Sequence, residues 1–298
     1  MLSITHLKTF LTVTKAGSFT RAGNELGLTQ PAVSGHIAAL EEELGVKLFN
    51  RTGRKIVLTD AGSLCRQAAK DINARLDELQ SDLADLQALK GGMIRIGASK
   101  IIGVYMLPKI LMAFRDQFPD IELQISIHSA HTIAAQVEDN AYDLAIVGEG
   151  DAINPKNIGT KVIGEDEFII IAPPDHPLAA RGTITAEDIA KEPFILSGAL
   201  TASLQSVRRQ LRSHALRLKS TIEMDEAGAI KRAVEEGAGL AIVSKAVVER
   251  ELADRRLVAL RLEGCHFKRS ILMLWRQDRR FSKNTEAFMK FLQKAFEA

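Results

Sequence analysis

Six residues around position 30 combine polar side chains with small ones, at a spacing that places them on one face of a helix. Gln30 can pair bidentately with adenine, and the Ser34 hydroxyl can form hydrogen bonds with several base edges. Small neighbours on the same face let the helix backbone come close to a groove. The spacing therefore predicts a helix face that reads DNA in the major groove. The predicted face consists of Thr29, Gln30, Pro31, Ser34, Gly35 and Ala38.

Three helices separated by glycine turns are predicted to position that face. An apolar stripe predicts a first helix that ends at Gly17, and a second helix runs from Ser18 to about Leu26. Ser18 and Thr29 are residues that cap a helix by accepting a backbone N–H, and Ser18 is also a predicted DNA contact. Gly27 supplies the tight turn before the third helix. The inward stripe of the third helix is Val33, Ile37, Leu40 and Leu44.

A basic hairpin is predicted after the third helix. Residues 48–50 and 55–59 have the pattern of two short strands, with a turn at 51–54. Cations at the tip of such a hairpin can contact the phosphate groups of DNA. The alternative is a solvated turn, and the neighbouring helix-turn-helix pattern favours the phosphate contact. The predicted phosphate contacts are Arg51, Arg54 and Lys55.

The segment after the hairpin predicts one long helix that pairs two copies of the chain. Residues 60–89 contain no proline, and Gly62 is their only glycine. Apolar residues recur every seven positions on two offset tracks, which is the pattern of a two-stranded coiled coil. The alternative is an amphipathic helix packed on its own domain. The predicted dimerisation seam is Cys65, Ala69, Ile72, Leu76, Leu79, Leu83 and Leu86.

Strand and helix patterns alternate through the rest of the chain, in two similar series. A last strand and helix return to the first series, which predicts two hinged α/β lobes with mainly parallel strands. The crossings between the lobes are expected near 159–164 and 264–268. The strands are predicted at 93–97, 121–127, 144–147, 168–172, 194–196, 220–224, 240–243 and 271–275, and the helices at 105–118, 132–139, 201–214, 226–236 and 282–296.

Hydroxyl groups and glycines follow the predicted strands of both lobes. Because the carboxyl ends of parallel strands meet at one edge of a sheet, these groups are expected to converge on the cleft between the lobes. Hydroxyls and free N–H groups at helix starts favour a small anion, such as a carboxylate or an inorganic oxyanion. The alternative for each Ser or Thr is plain helix capping. The predicted ligand-binding residues are Ser99, Lys100 (a counter-charge), Ser129, His131, Thr132, Gly148, Ser197, Thr201 and Ser203.

The composition argues against several other classes of protein. The net charge of the 298 residues is only +2, so nucleic-acid binding has to depend on a few placed groups. Cys65 and Cys265 lack metal-ligand spacing, which predicts neither a metal nor a cofactor. No hydrolase or metalloprotease motif occurs, so no enzyme is predicted. No membrane-spanning run or signal peptide is recognisable, which favours a cytoplasmic protein.

Several short motifs stand out along the chain. The N-terminal part contains SFT at 18–20, TQPAVS at 29–34 and LTDAG at 58–62, and the C-terminal part contains IGAS at 96–99 and GAGLAI at 237–242. With these motifs the chain resembles the LysR-type transcriptional regulators, and the likeness covers essentially the whole chain. Two residues depart from the family's pattern. Gly23 stands where alanine is usual and is expected to soften the second helix. Ser244 stands where proline is frequent, so the loop after that strand is expected to differ from the usual geometry of the family.

The resemblance implies a multidomain protein. It implies an N-terminal all-α winged helix-turn-helix at 1–59, a dimerisation linker helix at 60–90 and a C-terminal effector domain at 91–298. The effector domain is expected to be a two-lobed α/β domain like the type 2 periplasmic binding proteins. Lobe I would comprise about 91–162 and 268–298, and lobe II about 163–267.

The function expected from the resemblance is sequence-specific transcription regulation, switched by a small, anionic effector bound between the lobes. The expected partners are double-stranded promoter DNA, the effector, further copies of the chain in a dimer or tetramer, and RNA polymerase. Two alternatives stay open. One is a solute-binding protein with a vestigial N-terminal module, and the other is a ligand-independent, nucleoid-type DNA-binding protein.

Overall fold

The computed structural model describes residues 2–52, 55–86, 91–149, 157–181, 183–197, 211 and 218–297. The chain divides into two compact units, Met1–Leu89 and Lys90–Ala298. Each unit has its own buried apolar core, and each is described by itself.

The first unit begins with three helices and a hairpin. The helices are α1 (Ile4–Ala16), α2 (Phe19–Leu26) and α3 (Gln30–Leu44), and each is followed by a glycine with a left-handed backbone. Strands β1 (Phe49–Thr52) and β2 (Lys55–Leu58) pair antiparallel. The core between the helices and the hairpin is formed by fully buried side chains such as Phe10, Val13, Leu40 and Leu48.

The long helix α4 (Asp60–Leu86) is joined tightly to the hairpin. Its first turn is capped by Thr59, whose Oγ1 accepts a hydrogen bond from the Gly62 backbone at 2.8 Å and donates one to the Lys47 carbonyl at 2.7 Å. A Cβ atom at Gly62 would lie 2.1 Å from the Leu48 carbonyl oxygen, so only glycine fits this approach. In the motif at 58–62, Thr59 therefore caps α4 and Gly62 allows the helix to lie against the backbone of Leu48.

Within the described residues, the second unit is built on one sheet of nine strands. Its order is β4-β3-β5-β11-β6-β9-β7-β8, and β10 pairs with β6. The strands are β3 (Gly92–Ser99), β4 (Ile121–His128), β5 (Leu144–Gly148), β6 (Ile158–Ala172), β7 (Pro193–Ser197), β8 (Lys219–Met224), β9 (Leu240–Ser244), β10 (Val258–Leu260) and β11 (Phe267–Arg276).

Helices cover this sheet, and two groups of parallel strands identify the two lobes. Strand β3 pairs parallel with β4 and β5, and β7 pairs parallel with β8 and β9. The helices are α5 (Leu107–Gln117), preceded by a π-helical turn at Ile102–Met106, α6 (Ala130–Glu138), α7 (Ala186–Ala190), α8 (Ala227–Glu235), α9 (Lys245–Ala253) and α10 (Lys283–Glu297).

The connections between the lobes are continuous strands. The crossing expected near 159–164 lies within the long strand β6, and the one expected near 264–268 lies at the start of the long strand β11. These strands pair antiparallel from Ile158↔Arg276 to Phe168↔Phe267, with one irregularity at Ile271/Leu272. The predicted strands at 168–172 and 271–275 were therefore too short. The predicted lobe limits at 162/163 and 267/268 fall inside continuous strands.

Other elements were also predicted incompletely. The helix expected at 105–118 starts earlier, because the π-helical turn lies against the sheet and a Cβ at Gly103 would meet Ile127 at 2.8 Å. Helices α7 and α9 and strand β10 were not predicted. The helix predicted at 201–214 lies outside the described residues, apart from position 211.

Candidate functional site

The predicted DNA-reading face lies at the start of α3 and is open. Thr29 caps the helix, its Oγ1 accepting a hydrogen bond from the Ala32 backbone at 3.4 Å. Gln30 Nε2 donates to Ser34 Oγ at 2.8 Å, which places the two polar side chains side by side on the surface. Nothing lies within 4 Å of a Cβ at Gly35, and Pro31 and Ala38 are exposed. The six residues therefore share a surface that another molecule can approach.

The turn before α3 is held by two further features. Ser18 caps α2 by accepting a hydrogen bond from the Arg21 backbone at 3.4 Å. Gly23 is buried, and a Cβ there would lie 2.7 Å from the Leu28 carbonyl oxygen. The sequence predicted only that Gly23 softens α2. The structure shows that Gly23 also allows a close backbone contact, since an alanine methyl group would clash with the turn at Leu28.

Glu41 connects α3 to the hairpin. Its Oε1 accepts hydrogen bonds from the Leu48 and Phe49 backbones at 2.9 and 3.4 Å, and its Oε2 accepts one from Lys47 Nζ at 2.7 Å. Burial raises the pKa of the Glu41 carboxyl, but the hydrogen bonds and the Lys47 charge outweigh burial and hold this pKa below its usual value. The ionised carboxylate therefore fixes where the hairpin begins.

The hairpin carries the predicted phosphate contacts. In its ladder Arg51 is opposite Ile56, and Thr52 is opposite Lys55. Arg54 lies outside the described residues, and the side chains of Arg51 and Lys55 are not described. The structure thus confirms the hairpin but does not test the contacts.

The seam of α4 is divided between the unit's own core and the surface. Ala69 is 1% exposed and packs in the core of the first unit, so its predicted role in contact with a second copy is corrected. Cys65 is half-buried against the same core. Ile72, Leu79 and Leu83 are 41%, 53% and 48% exposed. Leu76 is half-buried, and the Leu86 side chain is not described.

Several predicted ligand-binding residues meet at one edge of lobe I. Strand β3 ends at Ser99, which is register partner to His128, so Ser129 follows the neighbouring strand end. Strand β5 ends at Gly148 beside the end of β3. The Ser99 hydroxyl is buried and has no hydrogen-bond partner among the described residues. A buried hydroxyl without a partner costs free energy, so this atom is a candidate ligand contact.

The start of α6 contributes further polar groups to that edge. Ser129 Oγ accepts a hydrogen bond from the Thr132 backbone at 3.2 Å and lies 2.8 Å from Thr132 Oγ1. His131 is exposed on the same turn. Ser129 therefore caps α6, which is the role that the sequence offered as the alternative to ligand binding.

Lys100 and the π-helical turn reach toward lobe II. Lys100 Nζ is 3.9 Å from Glu226 Oε2, and both side chains are more than 60% exposed. Tyr105 packs against the lobe II core, with Lys231 Nζ 5.7 Å from its ring centroid. Lys100 is therefore partly neutralised by lobe II. Ser197 ends β7, its side chain is not described, and Thr201 and Ser203 lie outside the described residues.

A buried polar cluster beside this edge was missed by the sequence analysis. Arg269 donates from Nε and Nη2 to Asp166 Oδ2 at 2.9 and 2.7 Å. Ser244 Oγ donates to Asp166 Oδ1 at 2.6 Å. The Arg269 guanidinium also lies 5.1 Å from the Phe168 ring centroid. Charged residues inside otherwise strand-like segments were the only local signal for this cluster.

Other chemistry finds little support in the described residues. No group of three or more His, Cys, Asp and Glu side chains among them could hold a metal ion. Burial raises the pKa of the Cys65 and Cys265 thiols, which makes them poor nucleophiles. None of the helices searched within the described ranges is long and apolar enough to cross a membrane.

Two family models match the chain in the order of its two units. The model described as "Bacterial regulatory helix-turn-helix protein, lysR family" matches residues 4–63, and the "LysR substrate binding domain" matches residues 87–297. The chain therefore belongs to the LysR family of bacterial transcriptional regulators. Because the family consists of regulators, the prediction that the protein is a transcription regulator and not an enzyme is confirmed.

Known proteins similar to the chain include transcriptional regulators named for RuBisCO. The RuBisCO operon transcriptional regulator of Allochromatium vinosum is 31% identical over 98% of this chain and 95% of its own length. A probable RuBisCO transcriptional regulator of Synechocystis sp. is 35% identical over 97% of this chain and 85% of its own length.

Solved structures with the same fold support the architecture. Full-length OxyR from Pseudomonas aeruginosa superimposes with a TM-score of 0.74 at 21% identity, covering 100% of this chain and 95% of that one. The CcmR regulatory domain of Synechocystis PCC6803 in complex with 2-PG gives a TM-score of 0.62 at 23% identity, covering 69% of this chain and 98% of that one. The predicted fold class, a winged helix-turn-helix followed by a two-lobed α/β effector domain, is thereby confirmed.

Proposed function

We propose that this LysR-type regulator reads promoter DNA with the exposed start of α3 and responds to a small anion bound between the two lobes, at the strand edge of lobe I. The observation that carries the DNA-reading part is the Gln30–Ser34 pair on an open, small-residue surface. A glutamine–serine pair of this kind gains nothing from burial and is well suited to base edges.

Gln30→Ala tests the reading of base edges. A direct contact with one base is worth about 1–3 kcal/mol of discrimination, so the variant is expected to lose its preference for the specific promoter while keeping non-specific binding. The matched control is Gln67→Ala, because Gln67 is exposed on α4 and lies outside the proposed face. Unchanged preference of Gln30→Ala in a titration against specific and scrambled DNA would refute the assignment.

Arg51, Arg54 and Lys55 are proposed to contact phosphates, and Ser18 and Thr29 to lie against the backbone at the helix starts. A phosphate contact adds affinity for every sequence and releases counterions. Arg54→Ala is therefore expected to weaken specific and non-specific DNA alike and to reduce the salt slope by about one. A loss confined to the specific promoter would instead place Arg54 on a base edge.

The exposed part of the α4 seam is proposed to pair with a second copy. Ile72, Leu79 and Leu83 leave apolar surface open on a helix whose pattern is that of a coiled coil. Leu79→Asp should shift the sedimentation of the chain toward the monomer, whereas Leu64→Asp, on an exposed residue outside the seam, should not. A tetramer through the effector domains is proposed in addition.

The effector is proposed to be a small anion held by Ser99, Ser129, Thr132 and Gly148, with Lys100 and His131 beside them. The same site would include Ser197, Thr201 and Ser203. The unpartnered Ser99 hydroxyl supports a ligand here, and the structural neighbour CcmR was solved with 2-PG. A thermal-shift titration with 2-PG and inorganic phosphate tests this class, because a ligand that binds only the folded state raises the melting temperature.

Three further assignments belong to the proposal. The functional division is 1–59 for DNA binding, 60–90 for dimerisation and 91–298 for the effector. The proposed cellular location is the cytoplasm, because the proposed partner is promoter DNA. RNA polymerase is proposed as a further partner. RuBisCO-type promoters are the first DNA fragments to test, since similar proteins carry that name.

A further inference from the structure

One cation is almost fully buried where lobe I meets the crossing strands. Arg269 on β11 is 4% exposed, and its register partner Asp166 on β6 is 1% exposed. Both oxygens of the Asp166 carboxylate are engaged, Oδ2 by Arg269 and Oδ1 by the Ser244 hydroxyl. The guanidinium is therefore held in one orientation by strands β6 and β9 together.

The hydrogen bonds use only one side of the guanidinium. Nε and Nη2 donate to Asp166, and Nη1 donates no hydrogen bond within the part of the chain that the structure describes. A Cβ atom at Gly148 would lie 2.5 Å from both Cζ and Nη1 of Arg269. The unused Nη1 thus lies over Gly148, the last residue of β5 at the proposed ligand edge.

Stability alone does not account for this arrangement. A buried ion pair contributes little net stability compared with apolar residues of similar volume. Lys100, the cation expected from the sequence, is 63% exposed and faces Glu226, so water and that carboxylate weaken its attraction for an anion. Asp166 likewise offsets the charge of Arg269, but the N–H groups of Nη1 remain available over Gly148, and a charge-assisted hydrogen bond from them is stronger in this buried region because the local dielectric is lower.

We propose that Arg269 provides the main cationic contact for the anionic effector through Nη1, and that Asp166 and Ser244 position it. This assignment rests on the proposed function, because it names the chemistry of the same site. Arginine suits carboxylate and phosphate groups because its planar N–H donors match their oxygens. Ser244, where the family often has proline, is then a positioning residue rather than a disturbance of the loop.

The test is calorimetric titration of the full chain with 2-PG and with inorganic phosphate. Arg269→Lys keeps the charge but loses the planar donors, and it should weaken anion binding by about tenfold or more. Ser244→Ala leaves the ion pair intact and should weaken anion binding by roughly two- to fivefold. Arg115→Lys, the same change at an exposed arginine on α5, should bind as the parent does.

A double variant that still folds separates the loss of anion binding from a loss of stability. Asp166→Leu/Arg269→Met replaces the ion pair with apolar residues of similar volume, a change that can leave stability nearly neutral. If Arg269→Lys does not fold, this pair carries the test and should lose anion binding while it still melts cooperatively and binds DNA. Parent-like anion affinity in either folded variant would overturn the assignment to Arg269 while leaving the anionic effector intact. A parent chain that binds neither anion would overturn both.

Discussion

The polar groups of the DNA-reading face and of the buried Asp166–Ser244–Arg269 cluster find their partners at very different distances along the chain. In the DNA-reading unit, Ser18 and Thr29 cap helices three residues ahead, and Gln30 contacts Ser34 four residues ahead. In the effector unit, Ser244 and Arg269 reach Asp166 across 78 and 103 residues.

This difference teaches how each unit holds its site. Contacts over three or four residues form within one helix, so the reading face stays on the surface and each contact contributes little energy. Contacts among β6, β9 and β11 exist only when the sheet is complete, and they lie in a region of low dielectric. Disruption of the effector cluster should therefore affect the whole unit, whereas disruption of a cap should affect one helix.

The largest effect is expected from an unpaired charge in the effector unit. Asp166→Ala leaves the Arg269 guanidinium buried without its partner, which should lower the unfolding free energy of that unit by about 3–5 kcal/mol. Urea unfolding followed by circular dichroism measures the loss. Asp166→Leu/Arg269→Met is the control and should recover most of it. A loss below about 1 kcal/mol for Asp166→Ala would mean that the long-range cluster is no stronger than a local cap.

A smaller effect is expected at the turn of the DNA-reading unit. In Gly23→Ala the new methyl group meets the Leu28 carbonyl at 2.7 Å, and the strain should cost about 1–3 kcal/mol. Gly35→Ala is the matched control, because nothing lies within 4 Å of its Cβ. That variant should gain about 0.5–1 kcal/mol from helix propensity. Melting temperatures that shift in the same direction for both variants would contradict this account of Gly23.

The cap of α3 should contribute less. Thr29→Ala removes the oxygen that accepts the Ala32 N–H and should cost about 1 kcal/mol. Thr29→Ser keeps an oxygen at the same place and should retain most of that stability in a thermal melt. Equal losses for the two variants would show that the threonine methyl group matters rather than the cap.

The smallest effect is a pH dependence at Glu41. Its pKa is lower in the folded state than its usual 4.5, so the ionised carboxylate stabilises the fold above about pH 4.5, and this contribution is lost as the pH falls through the folded pKa. Glu41→Gln replaces charge-assisted hydrogen bonds with neutral ones and should cost roughly 1 kcal/mol or less at pH 7. The difference from the parent should shrink in melts below pH 4. A difference that grows in acid would contradict the sign.

Local signals explain how closely the first unit could be predicted. Ser18, Thr29, Gly17 and Gly27 mark the helix ends, and α2 and α3 begin where those residues indicate. The heptad pattern of α4 predicted the helix but not the burial of Ala69. A sequence period shows which side of a helix is apolar, and it does not show whether that side meets the unit's own core or another chain.

The second unit was predicted less well, because several of its strands depend on pairing with distant parts of the chain and not on local sequence signals. Strand β5 is an apolar run, and β3 and β4 carry apolar residues at alternating positions, so all three were predicted. The first half of β6 is rich in glycine and charge, and it becomes a strand because β11, about a hundred residues later, pairs with it. Arg269 gave no signal of its own, since neither its burial nor its partner is visible until the sheet is assembled.

The most direct test of the account is a fluorescence-anisotropy titration of the DNA upstream of the protein's own gene, with and without saturating 2-PG. An anion bound in the effector unit should change DNA binding by the reading unit of the same chain. The apparent dissociation constant for this DNA should therefore change by about fivefold or more when the anion is present. Identical binding curves with and without an anion that is shown to bind the chain would contradict it.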